Sequence, residues 1–313
     1  MSELALRLQG VTKRYGKTQA LDGLDLEVPR GYLFGLVGPN GAGKTTTFGV
    51  VSGVVRPDSG TVDVLGQGAF DPARSAGRLT VLPQDAELNP HVPARSLLRF
   101  CARLQGLGRA KATREAERVL DLVQLRDRAD AKVRQLSHGM RRRLAVAQAL
   151  LGDPELVLLD EPTGGLDPQL IVEMRALLQR EGRRRTLVVS THILADLEQS
   201  CDHVAFLDAG RCVRSGSLEE VTRRSRLVRV RLGAPVELNE TVQTQLAARA
   251  LTLDGHELTY QIDEREDLAE VQRNVLRLLL ECDVPVIEVR LGESLEDAYL
   301  ASRHRAPSDR DDA

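Results

Sequence analysis

Gly38-Pro39-Asn40-Gly41-Ala42-Gly43-Lys44-Thr45 lies between an apolar run, Tyr32–Val37, and a helix-compatible stretch, Thr46–Val51. The octet is a full match to the phosphate-cradling pattern G-x-x-x-x-G-K-[ST]. Its flanks supply the strand before and the helix after that the pattern requires. Glycines let the backbone curl so that several N–H groups face one phosphate chain, and the helix N-terminus adds positive potential. Gly38 through Thr46 are therefore candidate phosphate contacts. Lys44 is expected to bridge the terminal phosphates, and the Thr45 hydroxyl to bind a divalent ion.

Downstream, Leu156-Val157-Leu158-Leu159 ends in Asp160-Glu161. An apolar strand that delivers two acids suits a second half of the same site. Asp160 can hold the metal shell, as a Walker-B aspartate does, and Glu161 can polarise an attacking water. Further nearly all-apolar runs at Thr186–Ser190 and His203–Leu207 read as central parallel strands covered on both faces. Helices at Pro168–Glu181 and Ile193–Ser200 separate them, so the core reads as a doubly wound α/β sheet. Leu4, Leu6 and Leu8, then Leu24, Leu26 and Val28, alternate as half-buried strands, and Gly60–Gly66 reads as another. Residues 94–151 carry helical spacing (Ala116, Val119, Leu120, Val123) and form a helical block within the fold.

The chain has 313 residues, which favours one large domain and a smaller one. We place the first at 1–224, with a helical subdomain at about 86–150. The second is expected at 226–303: a strand at Leu227–Leu232, a helix at Glu240–Ala250, a hairpin around Asp254-Gly255, a helix at Leu268–Cys282, a strand at Val286–Leu291 and a last helix at Ser294–Ser302. The order βαββαβ suggests a ferredoxin-like α+β unit. Residues 304–313 are charged and read as a disordered tail.

Composition narrows the function classes. A net charge of −2 gives no global attraction to nucleic acid, and 3% aromatic residues with no Trp disfavour a base-stacking surface. Four scattered cysteines, with no C-x-x-C pair, argue against structural zinc and fit a reducing compartment. The N-terminus lacks the pattern of a signal peptide, and no segment approaches 18 uncharged apolar residues, so any membrane role is expected through a partner. The runs Arg141-Arg142-Arg143 and Arg183-Arg184-Arg185 read as solvated surface, and Arg223–Arg231 as an edge strand with solvated arginines.

Together these motifs resemble the ATP-binding subunit of ABC transporters over about residues 3–220, a P-loop fold with antiparallel β and helical subdomains. The resemblance implies ATP and Mg²⁺ as ligands. It implies that Tyr15 stacks on adenine, that Gln84 touches the metal–water shell and faces a membrane partner, and that His192 is the switch histidine. Gly165-Leu166-Asp167 matches the D-loop, and Leu136-Ser137-His138-Gly139-Met140 matches the signature L-S-G-G-Q at three of five places. In that family Ser137 and the Gly139 N–H would cap the γ-phosphate bound by a second protomer, in a head-to-tail ATP-sandwich dimer. His138 departs from the signature, and if that position needs φ > 0 a histidine is strained there. Met140 for Gln and Gly164 for Ser are the other departures.

The phrases Ser137–Leu144 and Glu161–Pro168 look most like ATPase chains of bacterial drug, polysaccharide and daunorubicin-type exporters. That implies an ATPase on the inner face of the cell membrane, driving a separate transmembrane permease, with no nucleic-acid partner. An importer subunit is one alternative. Another is a soluble ABC ATPase acting on ribosomes or DNA. The first of those soluble types usually has two cassettes, and the second a long coiled coil where this chain has only about 90 residues.

Overall fold

The computed structural model describes residues 4–75, 77–223, 227–233, 252–263, 265–281, 283–292 and 294–305. It divides into two compact units, Met1–Leu218 with Ser302–Ala313, and Glu219–Ala301.

In the first unit, β1 (Leu4–Tyr15) pairs antiparallel with β2 (Thr18–Pro29) and β4 (Ser59–Val64). Alternation buries Leu6, Leu8, Leu24, Leu26 and Val28 on one face, as their spacing of two requires. Both strands run well beyond the apolar residues that announce them.

The second sheet has the order β5 (Leu79–Leu82), β6 (Leu156–Asp160), β7 (Thr186–Thr191), β3 (Leu33–Val37), β8 (His203–Asp208), β9 (Arg211–Ser217). The first five strands are parallel and β9 is antiparallel to β8. Every residue of β3, β6 and β7 is buried, the mark of strands covered on both faces. No strand signal marks β5, only four residues long, or β9, whose Arg-Cys-Val-Arg-Ser-Gly-Ser lacks an apolar run.

Helices α1 (Lys44–Val51) and α2 (Pro72–Ser75) precede the helical block, which comprises α3 (Ala94–Leu104), α4 (Arg109–Leu122) and α5 (His138–Ala149). Ala112, Ala116, Val119 and Leu120 form the buried stripe of α4. Then come α6 (Pro168–Gly182), α7 (Leu194–Glu198), shorter than its sequence signal, and α8 (Leu218–Arg223). Among the described residues no helix is long and apolar enough to cross a membrane.

The second unit has a fully antiparallel sheet. Its order is β11 (Thr252–Asp254), β12 (Glu257–Gln261), β10 (Leu227–Leu232), β13 (Val286–Leu291). This is the strand order of a ferredoxin-like sheet; the helix expected at Glu240–Ala250 lies outside the described residues. Helix α9 (Leu268–Glu281) contributes Val271, Val275 and Leu279 to a core with Val228, Val230 and Tyr260. One expectation is overturned here. β10 lies between β12 and β13, so it is not an edge strand. Arg229 pairs with Glu257 at 3.5 Å and Asp297 at 3.0 Å, and Arg231 with Glu288 at 3.2 Å. Helix α10 (Leu295–Arg305) also extends into the segment read as the tail; residues 306–313 lie outside the described residues.

Candidate functional site

Four neighbouring parallel strands, β5, β6, β7 and β3, end on one edge of the sheet, where open α/β folds place ligands. Register brings Asp160 opposite Ser190, and Val37, which leads into the glycine-rich loop, opposite Thr191.

The loop is shaped by glycine. Gly43 has φ +105°, and a Cβ there would lie 2.6 Å from the Ala20 carbonyl oxygen, so no other residue fits. Gly43 is also the N-cap of α1 and offers no side chain to cap it, which leaves first-turn amides of Lys44, Thr45 and Thr46 as donors for an anion. Gly38 and Ala42 are buried, whereas Asn40 and Gly41 are exposed. The Ala42 amide donates to the Pro39 carbonyl at 3.1 Å and closes the turn.

Lys44 is buried, and its ammonium donates to the carbonyls of Gly38 (2.7 Å) and Pro39 (3.1 Å). Burial lowers its pKa below the ordinary lysine range, opposed by the charges of Glu161 and Asp160. The Thr45 hydroxyl donates to Asp160 Oδ2 at 2.8 Å. Ser190, fully buried, donates to the other carboxylate oxygen, Oδ1. Sequence reasoning missed Ser190. Its only signal was a polar residue closing an apolar strand.

Glu161 has φ +48°, an uncommon conformation for a residue with a Cβ. Its amide donates to both the Ser190 carbonyl and the Ser190 Oγ at 3.1 Å. His192 Nδ1 lies 2.9 Å from Glu161 Oε1, and Gln84 Nε2 reaches Glu161 Oε2 at 3.5 Å. Thus Lys44, Thr45, Asp160, Glu161, Gln84 and His192, drawn from four strand ends, converge on one edge.

Thr45 and Asp160 offer hard oxygen donors of the kind Mg²⁺ takes, and the Gln84 side-chain amide stands beside Glu161. Among the described residues no group of three or more His, Cys, Asp or Glu side chains forms a metal cage. An ion here would share its coordination with water and phosphate. Tyr15 ends β1 with its side chain exposed, and Lys13 Nζ lies 5.6 Å from its ring centroid.

Ser137 and Asp167 serve a different purpose within this chain. Ser137 is the N-cap of α5, accepting from the Met140 amide at 3.2 Å, and its O–H remains a donor. Asp167 caps α6 through the Leu170 amide at 3.0 Å, with Pro168 as first helical residue. Among the described residues, no hydrogen bond joins either to the Lys44–Asp160–Glu161 cluster. Gly139 is buried so tightly that a Cβ would lie 2.4 Å from Leu170 Cδ1. His138 does not meet the condition under which it would be strained. It is the first residue of α5, its φ is not positive, and its Nε2 would lie 2.9 Å from a Cβ at Gly165 of the D-loop segment.

Neither basic run is solvated throughout. Arg142 is half-buried. Its guanidinium donates to the carbonyls of Asp160 (2.8 Å), Glu161 (2.5 Å), Pro162 (3.2 Å) and Gln84 (3.0 Å). Arg185 is buried against Glu181 at 2.9 Å, with Asp153 also at 2.9 Å. Periodicity could not single out one arginine from three. The described cysteines, Cys101, Cys201 and Cys212, are free, and burial raises their thiol pKa values, that of Cys201 to about 12.

The family profile described as ABC transporter matches residues 21–164. The chain is 43% identical over 220 residues to a Nod factor export ATP-binding protein I of Cupriavidus metallidurans, covering 69% of this chain and 72% of that protein. It is 36% identical over 312 residues to the daunorubicin resistance ATP-binding protein DrrA3 of Streptomyces coeruleorubidus, 96% of each. Among solved structures, an ATP binding subunit of an ABC transporter aligns with a TM-score of 0.62 and 27% identity, over 69% of this chain and 91% of that one. The ATP-binding cassette MJ0796, as a post-hydrolysis dimer bound to ADP and Pi, shares the fold with a TM-score of 0.62 and 24% identity, over 68% and 98%.

Proposed function

This chain belongs to the ABC transporter ATP-binding family, and from that premise we propose that it is the ATPase subunit of an exporter, acting with a separate transmembrane permease and a second copy of itself. One observation carries the reading. The Glu161 carboxylate stands between His192 and Gln84, beside a phosphate cradle whose Thr45 is hydrogen-bonded to Asp160.

In this reading the amides of residues 41–46 and the Lys44 ammonium hold the phosphate chain, and the exposed Tyr15 ring stacks on adenine. Thr45, Asp160 and Gln84 would hold Mg²⁺ and its waters. The ion, when bound, neutralises charge developing on the β- and γ-phosphate oxygens. Glu161 orients the attacking water and accepts its proton, and His192 fixes the carboxylate. Ser137 and the Gly139 amide, at the start of α5, donate to the γ-phosphate held by the second protomer, while Asp167 keeps the D-loop at that boundary. ATP then joins two protomers, and hydrolysis lets them part. The motion passes to the permease through the Gln84 loop and the helical block, on the membrane face where cellular ATP is available. Export is supported by the Nod factor export ATP-binding protein among its relatives. The second compact unit, Glu219–Ala301, is left to steady or regulate the dimer.

The test is a detergent pull-down from native membranes with tagged Glu161→Gln protein and Mg-ATP, read by mass spectrometry. A multi-span membrane protein at near-stoichiometric yield supports the reading. Ribosomal or DNA-associated proteins in its place would overturn it.

A further inference from the structure

Glu161 holds a left-handed backbone conformation that side chains disfavour, and such a conformation persists only where its surroundings over-determine it. On one side its amide is held by Ser190. On the other its carbonyl accepts from the Gly164 amide at 3.0 Å and from Arg142 at 2.5 Å. Arg142 does more than close that turn. One guanidinium gathers three consecutive carbonyls, Asp160, Glu161 and Pro162, and adds a fourth from Gln84 on another strand end. Nε, Nη1 and Nη2 all donate to these four acceptors, a use of the guanidinium fork that an ammonium cannot reproduce. Burial works against its charge, and the carboxylates of Asp160, Glu161 and Asp85 oppose that penalty.

Arg142 rides on α5, one turn beyond the Ser137 N-cap. We propose that Arg142 is a positioning residue that locks the Glu161 turn and the Gln84 loop to the helix carrying Ser137, so that the carboxylate and amide facing one nucleotide are set by the helix that meets the other. This inference rests on the role of Glu161 given above. A displacement of α5 would pull on the carbonyls of Glu161 and Gln84 together, while the glycine-rich loop and its Lys44, which Arg142 does not touch, would keep their grip on phosphate.

The test compares wild type, Arg142→Lys, Arg142→Gln and Glu161→Gln by steady-state phosphate release, ATP binding and thermal melting. Arg142→Lys should lose at least about tenfold in kcat while the Kd for ATP stays within about twofold, the split expected when transition-state positioning alone is removed. Arg142→Gln, with one short amide for four acceptors, should lose more. A kcat within twofold of wild type in Arg142→Lys, or a kcat loss matched by an equal loss of ATP affinity, overturns the inference. If Glu161→Gln itself turns over normally, the reading of Glu161 fails instead, so the two failures are distinct. Should both Arg142 variants fail to fold, the wild-type protein decides by nuclear magnetic resonance. The Arg142 Nε–H signal should exchange slowly with water while that of exposed Arg141 exchanges fast, and equal fast exchange overturns the clamp.

Discussion

His192 makes its one hydrogen bond among the described residues to Glu161, so its effect on turnover should vanish once Glu161 loses its charge. Glu161→Gln keeps the shape and removes the base. The loss of a preorganised polar group of this kind costs about 10²–10³ in kcat. At 1.36 kcal/mol per decade this is about 2.7–4.1 kcal/mol of barrier. His192→Ala removes a hydrogen bond to a charged acceptor, nominally about 1.5–3 kcal/mol. The His192 side chain is 50% exposed against 13% for Glu161, so water can replace part of what it gives. A loss of about tenfold, or 1.4 kcal/mol, is therefore expected. The double variant should fall within about threefold of Glu161→Gln alone, a coupling energy of about 0.7–1.4 kcal/mol. Steady-state phosphate release at saturating Mg-ATP measures all four proteins, with melting curves to confirm that each is folded. If the double variant loses a further tenfold, His192 acts on the substrate independently of Glu161, and its role of fixing that carboxylate is refuted.

Gly139→Ala should change stability by no more than about 1 kcal/mol, because Leu170 Cδ1, 2.4 Å from the new Cβ, is the end of a flexible side chain that can turn aside while alanine favours the helix. A loss above about 2 kcal/mol in denaturant melts, relieved by adding Leu170→Ala, would show instead that Leu170 is held fast. Glu181→Ala strands the buried Arg185, and with Asp153 still 2.9 Å away the cost should sit near the lower end of about 3–5 kcal/mol. A cost under 1 kcal/mol would show that Asp153 suffices. The hydrogen bond from Arg78, and then Arg30, hold the Glu155 carboxyl below its ordinary value of 4.5. A depressed pKa contributes stability that is full above 4.5 and lost as pH falls through the lower folded value. Glu155 is partly exposed, so the effect is small. Melting temperatures of Glu155→Gln and wild type should differ above that value and converge in acid; divergence in acid would reverse the assignment.

The parts of this protein that were legible before folding are those whose chemistry is local. The glycine-rich loop shows itself because φ +105° at Gly43 and a first turn without a side-chain cap leave few sequences that can build it. β3, β6 and β7 show themselves because burial on both faces demands unbroken apolar runs. β5 and β9 were silent because a short or edge strand has no such demand. The basic runs misled for a related reason. Charge in a row reads as solvent exposure, yet Arg142 is drawn inward by carbonyls distant in sequence, and Arg185 by Glu181 one helical turn before it and by the more distant Asp153. Strain at His138 required a positive φ, which that residue lacks as the first of α5, and the unusual backbone belongs to Glu161 instead.

The sequence by itself determined the phosphate cradle, the acids that face it, the central strands and the family, since each rests on short spacings or on burial pattern. Tertiary structure alone decided which distant groups meet: Ser190 on Asp160, His192 on Glu161, and one arginine of α5 on four carbonyls. The physical reason is strand order. β6 and β7 are neighbours in register, and β5 flanks β6, so residues 84, 160, 161, 190 and 192 share one edge, where Arg142 of α5 meets them. No spacing along the chain encodes that adjacency.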